Sequence, residues 1–391
     1  MEAVAPASQL RLLVLQPSPF CNIDCSYCYL SDRNSTATMS LETLDSVCRV
    51  VFESPLLAAQ LDIAWHGGEP LVVPITWYKR ATELIEQNRP TKLQLKHRFQ
   101  TNGLLLDKEW VRFFAQLSAA VGLSIDGPAE YHNANRLTRN GHGTHEAAMR
   151  AVRLLRDENL AFHVITVLTE RLLDQPEKLF EFYIESGIKE VGFNIEEIEG
   201  LHRSSSLANP GVERKFRSFV KRFFDLAWEA HELIKVRELE STLGTLLLNE
   251  PVENQQNLSF AIVSISSDGG ISTFSPELLG AQHPRFDNKF IFGNVASHNL
   301  SDLSHMPLFK AIEDEIRSGV AACERSCRYF RWCGGGAPAN KLFEDGRFDA
   351  TETLHCRLTL QAVFDEVVDG IESRLEKARN TGSGAGFLVE M

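Results

Sequence analysis

Three cysteines near the start of the chain have a spacing that could hold an iron–sulfur cluster. Cys21, Cys25 and Cys28 follow the order C-x-x-x-C-x-x-C, so one short loop can bring three thiolates together. A [4Fe–4S] cluster normally takes four thiolates, and a loop that supplies three leaves one iron open to a non-protein ligand. Zinc is the alternative, but closed structural zinc sites use four ligands in paired C-x-x-C halves. The spacing therefore favours a cluster with one open iron.

Most of the cysteines belong to one of two groups. The second group consists of Cys323, Cys327, Cys333 and Cys356, and Cys48 stands alone in an apolar helical pattern. Cysteines of a reducing compartment are more often metal ligands than disulfides. We therefore predict that both groups bind metal and that Cys48 is a buried core residue.

The bulk properties of the chain exclude several classes of function. Its 391 residues carry a formal net charge of −12, which argues against nucleic acid or an anionic membrane as the main partner. No apolar run approaches the ~18 residues of a membrane span. The first ten residues lack a basic region followed by an apolar core, so we predict no secretion signal and a cytoplasmic protein.

The first two hundred residues alternate β-rich runs with amphipathic runs. The predicted strands are Leu10–Gln16, Leu61–His66, Leu93–Gln100, Val121–Ile125, Phe162–Leu168 and Glu190–Ile195. The predicted helices are Ser40–Ser54, Thr76–Asn88, Lys108–Leu117, Thr144–Glu158 and Gln175–Glu185. Such strand–helix repeats form a parallel sheet with right-handed crossovers. Because polar residues follow the strands, we expect the site at their C-terminal edge.

The pattern changes after residue 200. Asn209-Pro210 is typical of a helix start, with the helix running to about Ala230, and a second helix is predicted near Leu233–Leu248. A hairpin with the turn Asp268-Gly269 follows, and then helices near Leu308–Ser318 and Leu360–Lys377. The tail from Asn380 is predicted to be flexible.

The cysteine loop after a first strand, followed by strand–helix repeats, resembles the radical S-adenosylmethionine (radical SAM) enzymes. Tyr27 holds the aromatic position before the third cysteine, where the family places a residue by the adenine. The segment Gly67-Gly68-Glu69-Pro70 is similar to the one that receives the SAM amino group. Glycines allow close backbone approach, and the carboxylate of Glu69 can pair with an ammonium group.

Two further segments resemble the peptide-modifying branch of the family. Ser124-Ile125-Asp126-Gly127-Pro128, with His132 and Arg136 after it, is similar to the stretch whose serine contacts ribose and whose arginine contacts the SAM carboxylate. Thr101 and Asn102 lie at another strand end. They are either a plain turn or a further SAM contact, and the residues leave both interpretations open.

The second cysteine group resembles half of the SPASM extension of peptide-modifying radical SAM enzymes. Cys323, Cys327, Cys333 and Cys356 would saturate one auxiliary [4Fe–4S] cluster. Full SPASM domains carry seven cysteines and two auxiliary clusters, but here the corresponding positions read Phe274-Ser275 and Ala337. All the missing ligands are those of the inner auxiliary cluster, which favours a working single-cluster variant.

The resemblance implies an α/β fold, with a partial (β/α)6 TIM-like barrel followed by a SPASM/twitch-like auxiliary-cluster domain. The expected divisions are a radical SAM core at 1–200, a helical bridge at 201–255, the auxiliary domain at 256–378 and a tail at 379–391. The implied cofactors are S-adenosyl-L-methionine and two [4Fe–4S] clusters. The implied partners are a precursor peptide and an electron donor such as flavodoxin or ferredoxin.

Within that branch the chain looks most like maturases that form cyclophanes in ribosomally made, glycine-rich-repeat peptides. Such enzymes join an aromatic ring carbon to the β-carbon of a nearby residue through a 5′-deoxyadenosyl radical. A base must take the released proton, and we predict Glu277, with Glu196 and Glu197 as alternatives. Thioether formation and sulfatase maturation to formylglycine are rival chemistries. An iron–sulfur electron carrier or a zinc-binding protein is the rival from another class.

Overall fold

A computed structural model describes residues 9–287 and 290–381 of the chain. Its strands are β1 Leu10–Leu15, β2 Ile23–Cys25, β3 Leu57–Trp65, β4 Gln94–Thr101, β5 Ala120–Ser124, β6 Arg136–Thr138, β7 Phe162–Leu168, β8 Glu190–Ile195, β9 Lys235–Val236, β10 Ile262–Ile265, β11 Gly270–Thr273 and β12 Gly293–Asn294. Its helices are α1 Leu41–Phe52, α2 Ile75–Asn88, α3 Lys108–Leu117, α4 Ala129–Asn135, α5 His145–Asp157, α6 Glu170–Leu173, α7 Pro176–Ser186, α8 Val212–Glu229, α9 Arg237–Leu248, α10 Leu300–Leu303, α11 Pro307–Ser326, α12 Phe330–Cys333, α13 Pro338–Asp345 and α14 Val363–Thr381.

One mixed sheet organises the molecule. Its strand order is β12-β11-β10-β1-β3-β4-β5-β7-β8-β9, and the six strands predicted from the sequence lie side by side in parallel at its centre. All their C-terminal ends therefore meet at one edge. The predicted α/β fold with a partial six-stranded barrel is confirmed.

The C-terminal hairpin joins the same sheet. β10 pairs in parallel with β1, and β11 then pairs antiparallel with β10 around Gly269, which has a φ of +86°. Left-handed backbone of this kind favours glycine in tight turns. The sheet hydrogen bonds thus run without a break from the central strands into the predicted auxiliary region, and the division at residue 256 stays a prediction.

Local sequence signals explain the helices that separate the central strands. Asp107 caps α3 by accepting hydrogen bonds from the backbone N–H groups of Glu109 and Trp110, and Ser118 ends the helix in left-handed backbone. Ser40 caps α1 in the same way through the N–H of Thr43. Such caps satisfy the N–H groups that a helix start leaves unpaired. The helix predicted at Lys108–Leu117 is confirmed.

An aromatic cluster fixes the strands β3 and β4 whose ends carry polar residues. Trp65 and Phe99 stack at 5.9 Å between ring centroids, and Tyr78 of α2 lies 5.5 Å from Phe99. All three rings are buried. Aromatic pairs at such distances add to the stabilisation from burial, so this cluster stabilises the C-terminal ends of β3 and β4.

Several predicted boundaries were wrong. α8 begins at Val212 rather than at Pro210, after Gly211 in left-handed backbone. Residues 235–236 form β9 at the edge of the sheet, because Lys235 and Val236 pair with β8. α11 continues well past Ser318 and ends at Ser326.

The ends of the chain are only partly described. α14 runs through Thr381, so the tail predicted from Asn380 is still helical at its start, and residues 382–391 lie outside the described part. Within the described residues, no helix has the length and apolar character needed to cross a membrane.

Candidate active site and auxiliary cysteine group

The loop after β1 gathers the first three cysteines. Within it, β2 pairs antiparallel with β6, which places Cys25 opposite Arg136, and the N–H of Cys28 donates to the carbonyl of Cys25 at 3.2 Å. The guanidinium of Arg139 donates to the carbonyl of Cys21 at 2.7 Å. A short sheet and an arginine therefore hold the loop in one shape.

The three thiols interact electrostatically, and those of Cys21 and Cys25 are close to side-chain donors. Burial, and then the charge of Glu69, raises the pKa of Cys21 to about 12, and burial raises that of Cys25 to about 11. Asn102 Nδ2 lies 3.9 Å from Cys21 Sγ, and Arg136 Nη1 lies 4.0 Å from Cys25 Sγ. Soft thiolate ligands with nearby donors suit an iron–sulfur cluster, whose binding deprotonates the thiols. The residues fit the predicted cluster.

The glycine turn after β3 lies directly against this loop. A Cβ at Gly68 would stand 2.6 Å from the carbonyl oxygen of Ser18, 2.7 Å from that of Pro19 and 2.8 Å from that of Phe20. The φ of Gly68 is +103°, and the N–H of Glu69 donates to the carbonyl of Phe20 at 2.8 Å. Gly67 also has left-handed backbone, with a φ of +92°. These glycines therefore let the turn pack directly against the cysteine loop, and the close approach to SAM expected of them stays a prediction.

Glu69 is buried at the end of this turn and fully hydrogen-bonded. Its Oε1 accepts from Thr101 Oγ1 at 2.6 Å and from the N–H of Leu71 at 3.0 Å, and its Oε2 accepts from the N–H of Asn102 at 2.8 Å. Burial raises the pKa of Glu69 to about 7, although the hydrogen bonds lower it. Thr101 and Asn102 therefore orient the carboxylate, and Asn102 also reaches the cysteine loop through Asn22 at 2.8 Å.

A buried aspartate ties together two predicted SAM contacts. Asp126 accepts from Arg136 Nε at 3.0 Å and Nη2 at 3.3 Å, and from the hydroxyl of Tyr27 at 2.5 Å. The N–H of Val167 also donates to it, at 3.0 Å. Arg136 also lies over the Tyr27 ring, 5.4 Å from its centroid. Two guanidinium nitrogens are thus occupied by Asp126, and Nη1 is the one directed towards Cys25.

Ser124 lies where it was predicted, at the C-terminal end of β5. Its hydroxyl accepts a hydrogen bond from Gln100 Nε2 at 3.0 Å, and it is only partly buried. The sheet edge therefore brings Tyr27, Glu69, Thr101, Ser124 and Arg136 to one side of the molecule. Their contacts with SAM stay a prediction.

Three carboxylates act electrostatically on Tyr29, one residue beyond the cysteine loop. Burial raises the pKa of the Tyr29 hydroxyl well above the ordinary value, and the charges of Glu277, Glu199 and Glu197 raise it further. The Tyr29 hydroxyl lies 3.4 Å from His66 Nε2. We call Glu197, Glu199 and Glu277 the carboxylate group.

The carboxylate group has unusual protonation properties. Burial, and then the charge of Glu197, raises the pKa of Glu277 to about 7. Burial and the charges of both neighbours raise the pKa of Glu199 well above its usual range. Glu199 is 3% exposed, and its Oε1 has no hydrogen-bond partner among the described residues. Clustered like charges in a buried setting disfavour full ionisation, so the group can hold a proton near neutral pH.

The carboxylate group connects the barrel to the C-terminal region. Glu197 follows β8, and its Oε2 accepts from Asn340 Nδ2 of α13 at 2.7 Å. Glu277 lies in a 3-10 turn after β11, and the same segment meets the cysteine loop where Ser31 Oγ donates to the carbonyl of Gly280 at 3.0 Å. By contrast, Glu196 is engaged by Ser206 and lies 3.3 Å from His202 Nε2. Of the two alternative bases predicted after β8, Glu197 is therefore the one in this group.

The four C-terminal cysteines line one cavity of ≈ 290 Å³. They come from four places: the end of α11, its C-cap, the end of α12 and the start of a π-helix that covers Cys356–Ala362. π-helical turns occur often at functional sites. No three His, Cys, Asp or Glu side chains of the described residues stand close enough to hold a single ion. The four thiols instead share the lining of this one cavity.

Several donors point at these sulfurs. The N–H of Gly336 donates to Cys333 Sγ at 3.1 Å, Gln361 Nε2 to Cys356 Sγ at 3.6 Å, and Lys341 Nζ to Cys323 Sγ at 3.6 Å. Hydrogen bonds to sulfur are among the factors that set the potential of an iron–sulfur cluster. Burial raises the pKa of Cys356 to about 12, so its thiol needs a bound ion to ionise. These residues also fit the predicted cluster.

The positions that lack the remaining SPASM cysteines are filled by other contacts. Phe274 is fully buried and packs 5.8 Å from Phe309, and Ser275 Oγ donates to Gln256 Oε1 at 3.1 Å. Ala337 forms the N-cap of α13. An aromatic side chain thus occupies space beside the hairpin where the resemblance would place a ligand of an inner cluster.

Four residues of the site received no role from the sequence: Asp126, Tyr29, Glu199 and Lys341. Asp126 stood inside a recognised segment, and a charged residue at the end of a buried strand was a usable signal. Glu199 and Lys341 carried no such signal, because only the packing of distant segments places them near the cysteines. Cys48 is buried in α1, as predicted.

Comparison with known proteins agrees with this geometry. Residues 15–183 match the family described as the radical SAM superfamily. An uncharacterized protein of Synechocystis is 38% identical over 93% of each chain. A cysteine-type anaerobic sulfatase-maturating enzyme of Clostridium perfringens is 27% identical over 84% of this chain and 88% of its own.

Two solved structures share the fold. Native anSMEcpe with bound AdoMet and a peptide matches with a TM-score of 0.75 and 23% identity, over 94% of this chain and 99% of its own. SuiB of Streptococcus suis, bound to its precursor peptide SuiA, matches with a TM-score of 0.63 and 16% identity, over 89% of this chain and 76% of its own.

Proposed function

The chain belongs to the radical SAM superfamily, as an enzyme that acts on peptides; on that premise we propose that it forms carbon–carbon crosslinks in a ribosomally made precursor peptide. Each crosslink joins an aromatic ring carbon to a β-carbon. The observation that carries the proposal is the carboxylate group beside Tyr29, one residue past Cys28. It supplies proton acceptors next to the place where a radical is generated.

The cofactors are assigned to particular residues. Cys21, Cys25 and Cys28 hold a [4Fe–4S] cluster, and Glu69 in its glycine turn pairs with the SAM ammonium group. When bound and reduced, this pair supplies a 5′-deoxyadenosyl radical that removes a hydrogen atom from the substrate. An electron donor such as flavodoxin or ferredoxin provides the reducing electron.

The chain's own residues orient SAM. Thr101 and Asn102 fix both oxygens of Glu69, so the carboxylate meets the ammonium without first rearranging. Asp126 fixes Arg136, which leaves Nη1 on the cysteine side for the SAM carboxylate. Tyr27 is held by the same aspartate and lies beside the adenine, and Ser124 contacts the ribose.

Glu277 acts as the base in this proposal. After the carbon radical adds to the ring, one proton and one electron must leave to restore aromaticity. A base works best when its pKa lies near the working pH, and burial raises the pKa of Glu277 to about 7. Glu197, held by Asn340, is the alternative acceptor.

Cys323, Cys327, Cys333 and Cys356 would hold one auxiliary [4Fe–4S] cluster, which would supply an acceptor for the departing electron. Four thiols line a single cavity, and Phe274 fills the neighbouring space beside the hairpin. This arrangement supports a complete single-cluster variant.

Formylglycine formation is the second candidate, favoured by the names of several relatives. The Clostridium perfringens relative is a sulfatase-maturating enzyme that spans nearly the same length. When formylglycine is made from serine, both reactions remove two hydrogen atoms from the peptide. Both therefore need a proton acceptor, and the carboxylate group would supply it in either case. Thioether formation is the third.

The test is the structure of the product. The cluster-loaded, reduced enzyme is incubated with SAM and with any short peptide encoded beside its gene, and the peptide is then sequenced by tandem mass spectrometry and NMR. We expect loss of two hydrogen atoms, no backbone cleavage inside the linked segment, and a substituted ring carbon coupled to a β-proton. A formylglycine or a thioether would overturn the proposal in favour of a rival.

A further inference from the structure

Lys341 is a buried lysine that the proposed reaction does not use. It lies on α13, is 2% exposed, and its Nζ is 3.6 Å from Cys323 Sγ. No carboxylate of residues 9–287 or 290–381 forms an ion pair with it. The nearby Asp349 lies 3.5 Å from Arg347, and its Oδ1 is buried without a hydrogen-bond partner among the described residues.

Two glycines lie beside this side chain. A Cβ at Gly319 would stand 3.2 Å from Lys341 Nζ, although it would first meet the carbonyl oxygen of Phe348 at 2.5 Å, and a Cβ at Gly336 would stand at ordinary contact distance, 3.5 Å, from Lys341 Cε. The two glycines belong to α11 and to the turn after Cys333, which are the segments that supply cysteines. The lysine thus lies in a slot between cysteine-bearing elements.

A buried ammonium group needs a negative partner. Burial of an unpaired charge costs several kcal/mol, so such lysines are rare unless an anion compensates them. Four thiolates around a [4Fe–4S] cluster give an anionic group, and one-electron reduction adds one further negative charge. A fixed cation beside it stabilises the reduced form more than the oxidised form.

We infer that Lys341 is a positioning residue that raises the reduction potential of the auxiliary cluster, and so makes that cluster a better electron acceptor. The inference rests on the proposed auxiliary cluster. The other donors differ in kind, because the Gly336 N–H and the Gln361 amide are neutral. Among the charged side chains of the described residues, Lys341 is the one that lies at hydrogen-bond distance from one of these sulfurs. Arg328 and Glu352 also line the cavity but make no such contact, so the variants of Lys341 test the charge that is nearest to a sulfur.

The experiment measures the potential of the auxiliary cluster alone. The full-length protein with Cys21, Cys25 and Cys28 changed to Ala is loaded with iron and sulfide, and the reduced cluster is followed by EPR during a redox titration. Lys341→Met removes charge and donor, Lys341→Gln keeps an N–H donor, and Lys310→Met on α11 removes an exposed lysine as the control. We expect both Lys341 variants to lower the reduced-to-oxidised ratio at fixed potential at least about tenfold, which corresponds to about 59 mV for one electron.

Other outcomes separate the possible failures. An unchanged potential in Lys341→Met with full iron content would overturn the inference. If both Lys341 variants lose iron at an unchanged melting temperature, the lysine serves cluster assembly and the tuning role is wrong. If the parent holds no iron, the proposed auxiliary cluster itself fails, and the inference fails with it.

Discussion

At the scale of residues, the site depends on carboxyl groups that are buried but differently satisfied. Glu69 accepts three hydrogen bonds, whereas Glu199 has an oxygen with no partner among the described residues. A carboxylate whose oxygens accept hydrogen bonds is stabilised in its charged form and can pair with a cation. A buried carboxyl group that lacks such bonds and lies near like charges tends to keep its proton. In the proposed function, Glu69 and the carboxylate group therefore serve different steps.

SAM affinity should depend on pH through Glu69. Burial raises its pKa to about 7 in the ligand-free protein, so below that pH the carboxyl group is neutral and cannot pair with the SAM ammonium group. We expect the affinity to rise as pH increases towards 7 and then to level off, with a limiting slope below 7 of about tenfold per pH unit. Binding of SAM to the cluster-loaded protein, measured by calorimetry at several pH values, tests this.

Glu69→Gln is the control for that titration. It should bind SAM more weakly, by about 1.5–3 kcal/mol for a lost charge-assisted contact, and with no slope near pH 7. The same slope in the variant would assign the titration to another group.

Replacement of the proposed base should uncouple SAM cleavage from product formation. Glu277→Gln removes the proton acceptor but leaves the cysteine loop and Glu69 intact, so 5′-deoxyadenosine should still form while crosslinking falls at least about 100-fold. The exposed Glu181→Gln on α7 should change neither rate. A fully active Glu277→Gln would point to Glu197 instead.

At the scale of elements, the site lies where the glycine turn after β3 and the short strand β6 pack against the cysteine loop. Gly68 lies under three carbonyl oxygens, and β6 holds the loop through β2. The positions of the central strands were predictable, because β-rich runs alternate with amphipathic helices. β7 and β8 have the predicted bounds.

Other elements could not be derived from local pattern. β9 is two residues long and exists because Lys235 and Val236 meet the free edge of β8. α11 continues past the predicted end at Ser318 to Ser326, and Gly319 and Cys323 of this extension are buried, so tertiary packing accompanies the longer helix. Likewise, Lys341 and Glu199 became part of the site only through tertiary contacts between distant segments.

The crowding at Gly68 gives a test at this scale. Gly68→Ala would place a Cβ within 2.8 Å of three carbonyl oxygens, so the turn must move away from the cysteine loop. Gly211→Ala is the matched control, because its φ is also positive, +83°, and its Cβ would meet nothing within 4 Å. Each alanine should lower the free energy of unfolding by about 1–2 kcal/mol, because alanine disfavours left-handed backbone.

Only the Gly68 variant should lose more stability than this. We expect an additional cost of at least about 1–3 kcal/mol from overpacking, together with weaker binding of the N-terminal cluster. Thermal unfolding and iron content measure the two effects. Equal losses in the two variants would contradict the close contact between turn and loop.

At the scale of the whole molecule, one sheet runs from the central strands into the C-terminal region that carries the second cysteine group. β10 pairs with β1, and the carboxylate group lies between the barrel and the C-terminal helices through Glu197 and Asn340. A peptide bound beside the carboxylate group would therefore lie between the two cysteine groups. In the proposed function, this arrangement would let one chain both start the radical reaction and take up the electron that it releases.

Iron content tests the two-cluster account. The reconstituted protein should hold roughly eight iron atoms per chain, and roughly four after Cys21, Cys25 and Cys28 are all changed to Ala. Iron analysis and visible absorbance measure this. Stoichiometric zinc without cluster absorbance would contradict both cluster assignments.

Reductive cleavage of SAM tests the central claim most directly. The cluster-loaded, reduced protein should convert SAM to 5′-deoxyadenosine and methionine, measured by chromatography and mass spectrometry. The variant with Cys21, Cys25 and Cys28 changed to Ala should form none above background, whereas Cys48→Ala, which alters the buried cysteine of α1, should retain the activity. Equal 5′-deoxyadenosine formation with and without the three cysteines, or none in the intact cluster-loaded protein, would contradict the account.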